Sequence, residues 1–105
     1  MPAQGPPLTP GTRRRLEALF CGDDRERVAR QLLERCGDGL PMTTHWDESQ
    51  FERVRYAVLK LSGGDLHELE RAIQLANWDW RDLLMAADFG HDVTAHERWF
   101  PAAAQ

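Results

Sequence analysis

Three sets of residues in this sequence have types and spacings that could do chemistry: two cysteines, four histidines and an arginine triplet. Cys21 and Cys36 could close a disulfide, share a metal ion or, for Cys21 just ahead of a helix start, supply a reactive thiolate. An intact helix between them would hold them ~22 Å apart at ~1.5 Å per residue. A disulfide needs Cα atoms within ~7 Å, and a shared metal needs similar proximity. The simpler reading makes both thiols small apolar residues at helix ends. His91 and His96, with Asp92 and Glu97 beside them, look faintly like metal ligands. Their separation of five misses the i, i+4 pair that a helix presents on one face. They are read as a polar turn and a solvated helix face, and His67 as exposed. No nucleophile-elbow, Walker or dinucleotide fingerprint is present, and acid pairs such as Asp79 and Asp82 are accounted for by capping. The expectation is a protein with no catalytic residues, no metal and no cofactor.

Arg13-Arg14-Arg15 is the single basic cluster. It could touch phosphate backbones or be the solvated face of a first helical turn. Residues 1–36 carry seven arginines against five acids, a net of +2, while residues 37–105 carry six bases against twelve acids, a net of −6. Nucleic-acid domains usually carry a clear basic excess. The helices that a helix-turn-helix would place in the groove hold Glu68, Glu70, Asp82 and Asp88, which a phosphate-lined groove repels. The solvated face is therefore preferred, with Arg13, Arg14 and Arg15 kept as the phosphate contacts of the alternative reading.

These residues have to be positioned by helices, and the punctuation for helices is dense. Asp23, Asp47, Asp65, Asp79 and Asp92 stand just before helical periodicity, and Gly22, Gly37, Gly63–Gly64 and Gly90 stand just after it. An N-cap carboxylate accepts from the unpaired N–H groups of the first turn and suits the positive end of the helix dipole. Asp23 with Glu26, Asp47 with Gln50, and Asp65 with Glu68 have capping-box spacing. Trp46 with Phe51, and Trp78 with Leu83, have hydrophobic-staple spacing. Apolar residues at i, i+3, i+4 and i+7 recur through four segments, for example Val54, Ala57, Val58 and Leu61. Helices are expected at 12–20, 24–36, 48–62, 66–76 and 80–89, with a short sixth near 93–100. The third, apolar over much of its circumference, should be the central element. The fold class is all-α: a compact bundle of five to six short amphipathic helices with an antiparallel hairpin at its centre, across Ser62–Asp65.

At 105 residues, with 29% charged and 42% apolar residues, the chain fits one domain with a real core. Residues 1–11, with four prolines and two glycines, read as a disordered leader. Residues 12–100 read as the helical domain and 101–105 as a frayed tail. No apolar run approaches the ~20 residues needed to span a bilayer, and no signal-peptide pattern opens the chain, so a cytoplasmic location is expected. Twelve arginines against one lysine fit a GC-rich genome, and the chain has the look of a small bacterial protein.

Four tryptophans are many for this length. Trp46, Trp78 and Trp80 have assigned places in staples and core. Trp99 either clasps the last short helix to the bundle or lies on a surface that binds a partner. Tyr56, Leu59, Trp99 and Phe100 are the candidate partner surface, and Leu75 and Met85 also fall outside the main stripes. The functional expectation is a small non-enzymatic interaction or regulatory module, an adaptor or immunity-like binder. Its partner would be a protein with a basic surface or a second copy of the chain. A nucleic-acid regulator is the alternative.

Overall fold

Four α-helices in the order α1 (Pro10–Leu19), α2 (Asp23–Arg35), α3 (Glu48–Ser62) and α4 (Leu66–Ala86), then a 3-10 turn (Ala95–Arg98), make up the protein in a computed structural model that describes residues 6–101. No strand occurs among the described residues. The all-helical expectation holds, with four helices rather than five or six.

Helix α3 is central because it is apolar nearly all round. Val54, Arg55, Tyr56, Ala57, Val58 and Leu59 are all buried, so it has no solvent face over that stretch. It packs along α4, across α1 and against the 3-10 turn. Its start is set locally. Asp47 accepts from the Gln50 amide at 3.0 Å while the Gln50 side chain accepts from the Asp47 amide at 2.9 Å. The Trp46 ring meets Phe51 edge-on at 5.3 Å, so both the capping box and the staple form. Its end is set by Gly63, whose φ of 57° is left-handed and lets the chain double back. Asp65 then caps α4 by accepting from the Glu68 amide at 3.0 Å. This is the expected α3–α4 hairpin.

Elsewhere the local signals mislead. Asp23 is not a cap. Gly22, at φ 62°, takes the cap position, and Asp23, Asp24 and Glu26 sit inside the first turn of α2, where their charge faces the helix dipole. The expected boundary at Asp79 is present as a kink: α4 is two helical stretches joined at Asp79, whose backbone (φ −159°, ψ 100°) is extended. Asp79 restarts it by accepting from the Arg81 amide at 3.0 Å. The Trp78–Leu83 staple does not form: Leu83 is in the core and Trp78 is 84% exposed. At the end of α4 the left-handed residue is Asp88 (φ 64°) rather than Gly90. The sixth helix is reduced to the 3-10 turn.

The folded part reaches further towards residue 1 than the composition suggests. Thr9 caps α1 by accepting from the Thr12 amide at 3.1 Å, Pro10 occupies the first turn, and Leu8 is buried in the core. A proline there costs nothing, because its missing N–H would be unpaired anyway. The leader reading therefore fails for residues 6–11. Residues 1–5 of the expected leader and 102–105 of the expected tail lie outside the described residues. Between α2 and α3, the loop that carries Pro41 is anchored by Leu40 in the core and by the Trp80 indole, which donates to the Pro41 carbonyl at 2.9 Å.

Candidate functional site

Most of the residues singled out from the sequence converge on one place, where α1, α3 and the 3-10 turn meet. The Arg15 guanidinium lies 4.2 Å from the centre of the Tyr56 ring and 5.1 Å from that of Phe100. It donates to the Trp99 carbonyl at 2.8 Å, to Gly11 at 3.0 Å and to Glu97 at 3.4 Å. Arg15 is buried, so it ties the chain end to α1 and is unavailable to a phosphate. Arg13 and Arg14 are exposed.

The partner-surface reading of Tyr56 and Leu59 fails for the same reason: Tyr56 is 3% exposed and Leu59 is sealed in the core. Both look unassigned on a single-stripe helix, but α3 is covered on several sides. Trp99 is half-buried against the core and near Tyr56, with ring centres 6.3 Å apart, which is the clasp role. Phe100 is half exposed at its rim.

Behind this clasp sits a polar cluster centred on Glu52. Its Oε1 accepts from the Thr9 hydroxyl at 2.6 Å and from the Tyr56 hydroxyl at 3.1 Å. Glu52 and Tyr56 are one turn apart on α3, so the helix itself makes that pair. Its Oε2 faces His96 Nε2 at 3.5 Å, long for a hydrogen bond. His96 is fully buried, and neither ring nitrogen has a hydrogen-bond partner. The solvated-face reading of His96 is thus overturned: the turn packs that face against α3. Burial pushes the Tyr56 hydroxyl up from its ordinary range, helped by the Glu52 charge, and burial pushes His96 down, with Glu52 opposing. Gly11 is required by this packing, since a Cβ there would collide with the Tyr56 hydroxyl.

A second buried cation lies on the other side of α3. Arg55 donates to the Cys36 carbonyl at 3.0 Å and to Pro6 at 2.7 Å, and burial lowers its pKa. It fastens the α2 end and the chain start to the centre of the bundle. The Cys36 thiol beside it is fully buried and pushed up to about 12 by desolvation. Cys21 is exposed, and both thiols are free. His91 is exposed, with Nδ1 3.8 Å from Asp88, and does not meet His96 in a ligand set. No group of three or more potential metal ligands occurs among the described residues.

The outer surface carries the remaining candidates. Trp78, at the bend of α4, is the most exposed large apolar side chain, followed by Met42, Met85 and Val93. Asp79, next to it in the chain, is ion-paired to Arg81 at 3.1 Å, and Asp82 is exposed. A shallow groove of about 330 Å³ runs between α3 and α4, lined by Leu61, Glu68, Arg71, Ala72 and Leu75.

The sequence gives no sign of the role of Glu52 beyond its one-turn spacing to Tyr56, of the burial of His96 or of the exposure of Trp78. Nothing local marks the burial of His96, which depends on Glu52 and Tyr56 of α3, forty or more positions away. A Glu–His–Tyr cluster has the parts for proton transfer, but its histidine is sealed from solvent in this conformation. No family model, no curated protein and no solved structure matches the chain.

Proposed function

We propose that the chain is a small non-enzymatic interaction module that docks a protein partner through the surface around Trp78. The observation that carries this reading is the 84% exposure of Trp78 at the α4 bend. A solvated indole forgoes about 1.5–3 kcal/mol of burial, and tryptophan is the residue most enriched at interface hot spots. The neighbouring Asp79 and Asp82, within a chain half of net charge −6, suit a partner of basic surface. Among the described residues no helix is long and apolar enough to cross a membrane.

The nucleic-acid alternative is weakened because Arg15 is committed to carbonyls of its own chain, leaving Arg13 and Arg14 exposed. Two phosphate contacts are too few for a stable complex at physiological salt.

Photo-crosslinking from a benzophenone side chain at position 78 in the native cell tests the reading, with position 30, exposed on α2, as control. A discrete protein adduct from 78 that is absent from 30 supports it. Adducts confined to nucleic acid, or none above the control, would overturn it. An adduct of twice the chain mass would identify the partner as a second copy.

A further inference from the structure

We propose that the 3-10 turn is a proton-operated clasp: protonation of His96 frees residues 95–101 from α3 and uncovers the aromatic cluster of Tyr56, Phe89 and Trp99. The inference does not rest on the Trp78 surface.

The surroundings of His96 favour a neutral ring over a charged one: the side chain is fully buried among rings, with one carboxylate at the edge of reach. The imidazole is edge-on to Tyr56 at 5.2 Å and to Phe89 at 6.3 Å between ring centres. An imidazolium has two N–H donors, yet neither nitrogen has an acceptor in hydrogen-bonding contact, and both are sealed from water. The charged or titratable groups that face it come from every element packed there. Helix α3 supplies Glu52, Arg53 and Tyr56, and the turn itself supplies Glu97. Helix α1 supplies Arg15, stacked on Tyr56, and Lys60 of α3 lies 4.9 Å from the centre of the Phe89 ring. Glu52 is the natural counter-ion. However, its Oε1 is occupied by Thr9 and Tyr56, its Oε2 stands 3.5 Å off, and the Arg53 charge opposes it.

Burial therefore outweighs Glu52, and the closed turn holds His96 below its ordinary value of 6.5. The sign follows from linkage. Above about 6.5 both the closed and the opened turn carry neutral His96, and the clasp has its full stability. As pH falls below 6.5 the opened turn takes up a proton that the closed turn refuses. The open-to-closed ratio then rises about tenfold per pH unit until the closed form also titrates. The turn is a fit subject for such local opening. It is four residues long and packs against α3, and Arg15 fastens it through the Trp99 and Glu97 carbonyls. Opening exposes rings that are otherwise covered, a surface suited to apolar partners.

The test is an NMR titration of the full chain from pH 8 to pH 4. It follows the His96 imidazole, the Trp99 indole and the backbone amides of 95–100, alongside the emission of an apolar-surface dye. The expected result is one shared midpoint below 6.5, with dye binding rising and the amides of α1 to α4 unmoved. In His96→Phe, which keeps an aromatic ring but takes no proton, the Trp99 response should vanish while far-ultraviolet circular dichroism is retained. If that variant does not fold, His96→Gln serves the same purpose. Proton uptake by His96 with Trp99 fixed would overturn the proposal. So would no titration of His96 down to pH 4, loss of all four helices at the same midpoint, or a Trp99 response that survives in the variants.

Discussion

Replacing each member of the arginine triplet by alanine separates an internal role from a phosphate-binding one. Arg15→Ala leaves the Trp99, Gly11 and Glu97 carbonyls without their donor and removes the cation from the Tyr56 face. Hydrogen bonds from a charged donor are each worth about 1.5–3 kcal/mol. A partly desolvated cation–π contact adds roughly 0.5–2 kcal/mol. The bonds share one side chain and are not additive, and water can reach some of the released carbonyls, so a net cost of about 3 kcal/mol is expected. With an unfolding entropy near 2.1 cal/mol/K per residue, that lowers Tm by roughly 12–15 °C. Arg13→Ala and Arg14→Ala, at exposed positions, should stay within about 0.5 kcal/mol of the parent. Arg15→Lys keeps the charge but not the planar fork and should fall between. Thermal melts followed by circular dichroism at neutral pH read all four variants. An Arg15→Ala melt within ~3 °C of the parent, or three equal effects, would refute the assignment of Arg15 to the interior.

Further outcomes follow from burial and charge elsewhere. At pH 8 a thiol reagent should label one cysteine per native chain, Cys21, and two after denaturation, because Cys36 is buried and its thiol is pushed up to about 12. Leu59→Ala should cost about 2–5 kcal/mol by denaturant unfolding, as a deletion from the enclosed centre of the bundle; a surface residue would cost almost nothing. Glu70 is held below its ordinary value of 4.5 mainly by the hydrogen bond from Arg35, so its contribution is present above about 4.5 and lost as pH falls through the folded-state value. Both partners are more than a third exposed, so Glu70→Gln should cost under about 1 kcal/mol at pH 7 and nothing at pH 2. An equal cost at both values would count against the pair.

How much was legible in the sequence depended on the range of the interaction. The Asp47 capping box, the Trp46–Phe51 contact, the Asp65 cap and the Gly63 reversal each involve residues within five positions of one another, and all four form. The same motifs misled where a neighbour outcompeted them. Gly22 took the cap position from Asp23, and the α4 bend turned Trp78 outward although its staple spacing is correct. Composition obscured the start of α1, where Thr9-Pro10 is itself a cap followed by a first-turn proline. The clasp was the least legible part, because Arg15, Glu52 and His96 come from α1, α3 and the turn and acquire their burial only when those elements meet. For Trp99 the sequence leaves a clasp and a partner surface both open, and the structure packs the ring against the core.

Tyr56 and Phe89 face inward, whereas Trp78 faces the solvent. Hydroxyl-radical footprinting of the native chain, with oxidation quantified residue by residue, measures that directly. Trp78 should oxidise fast at neutral pH, while Tyr56 and Phe89, 3% and 1% exposed, should be protected until the chain is unfolded. A protected Trp78 in monomeric protein, together with a readily oxidised Tyr56, would contradict both the internal clasp and the outward docking residue.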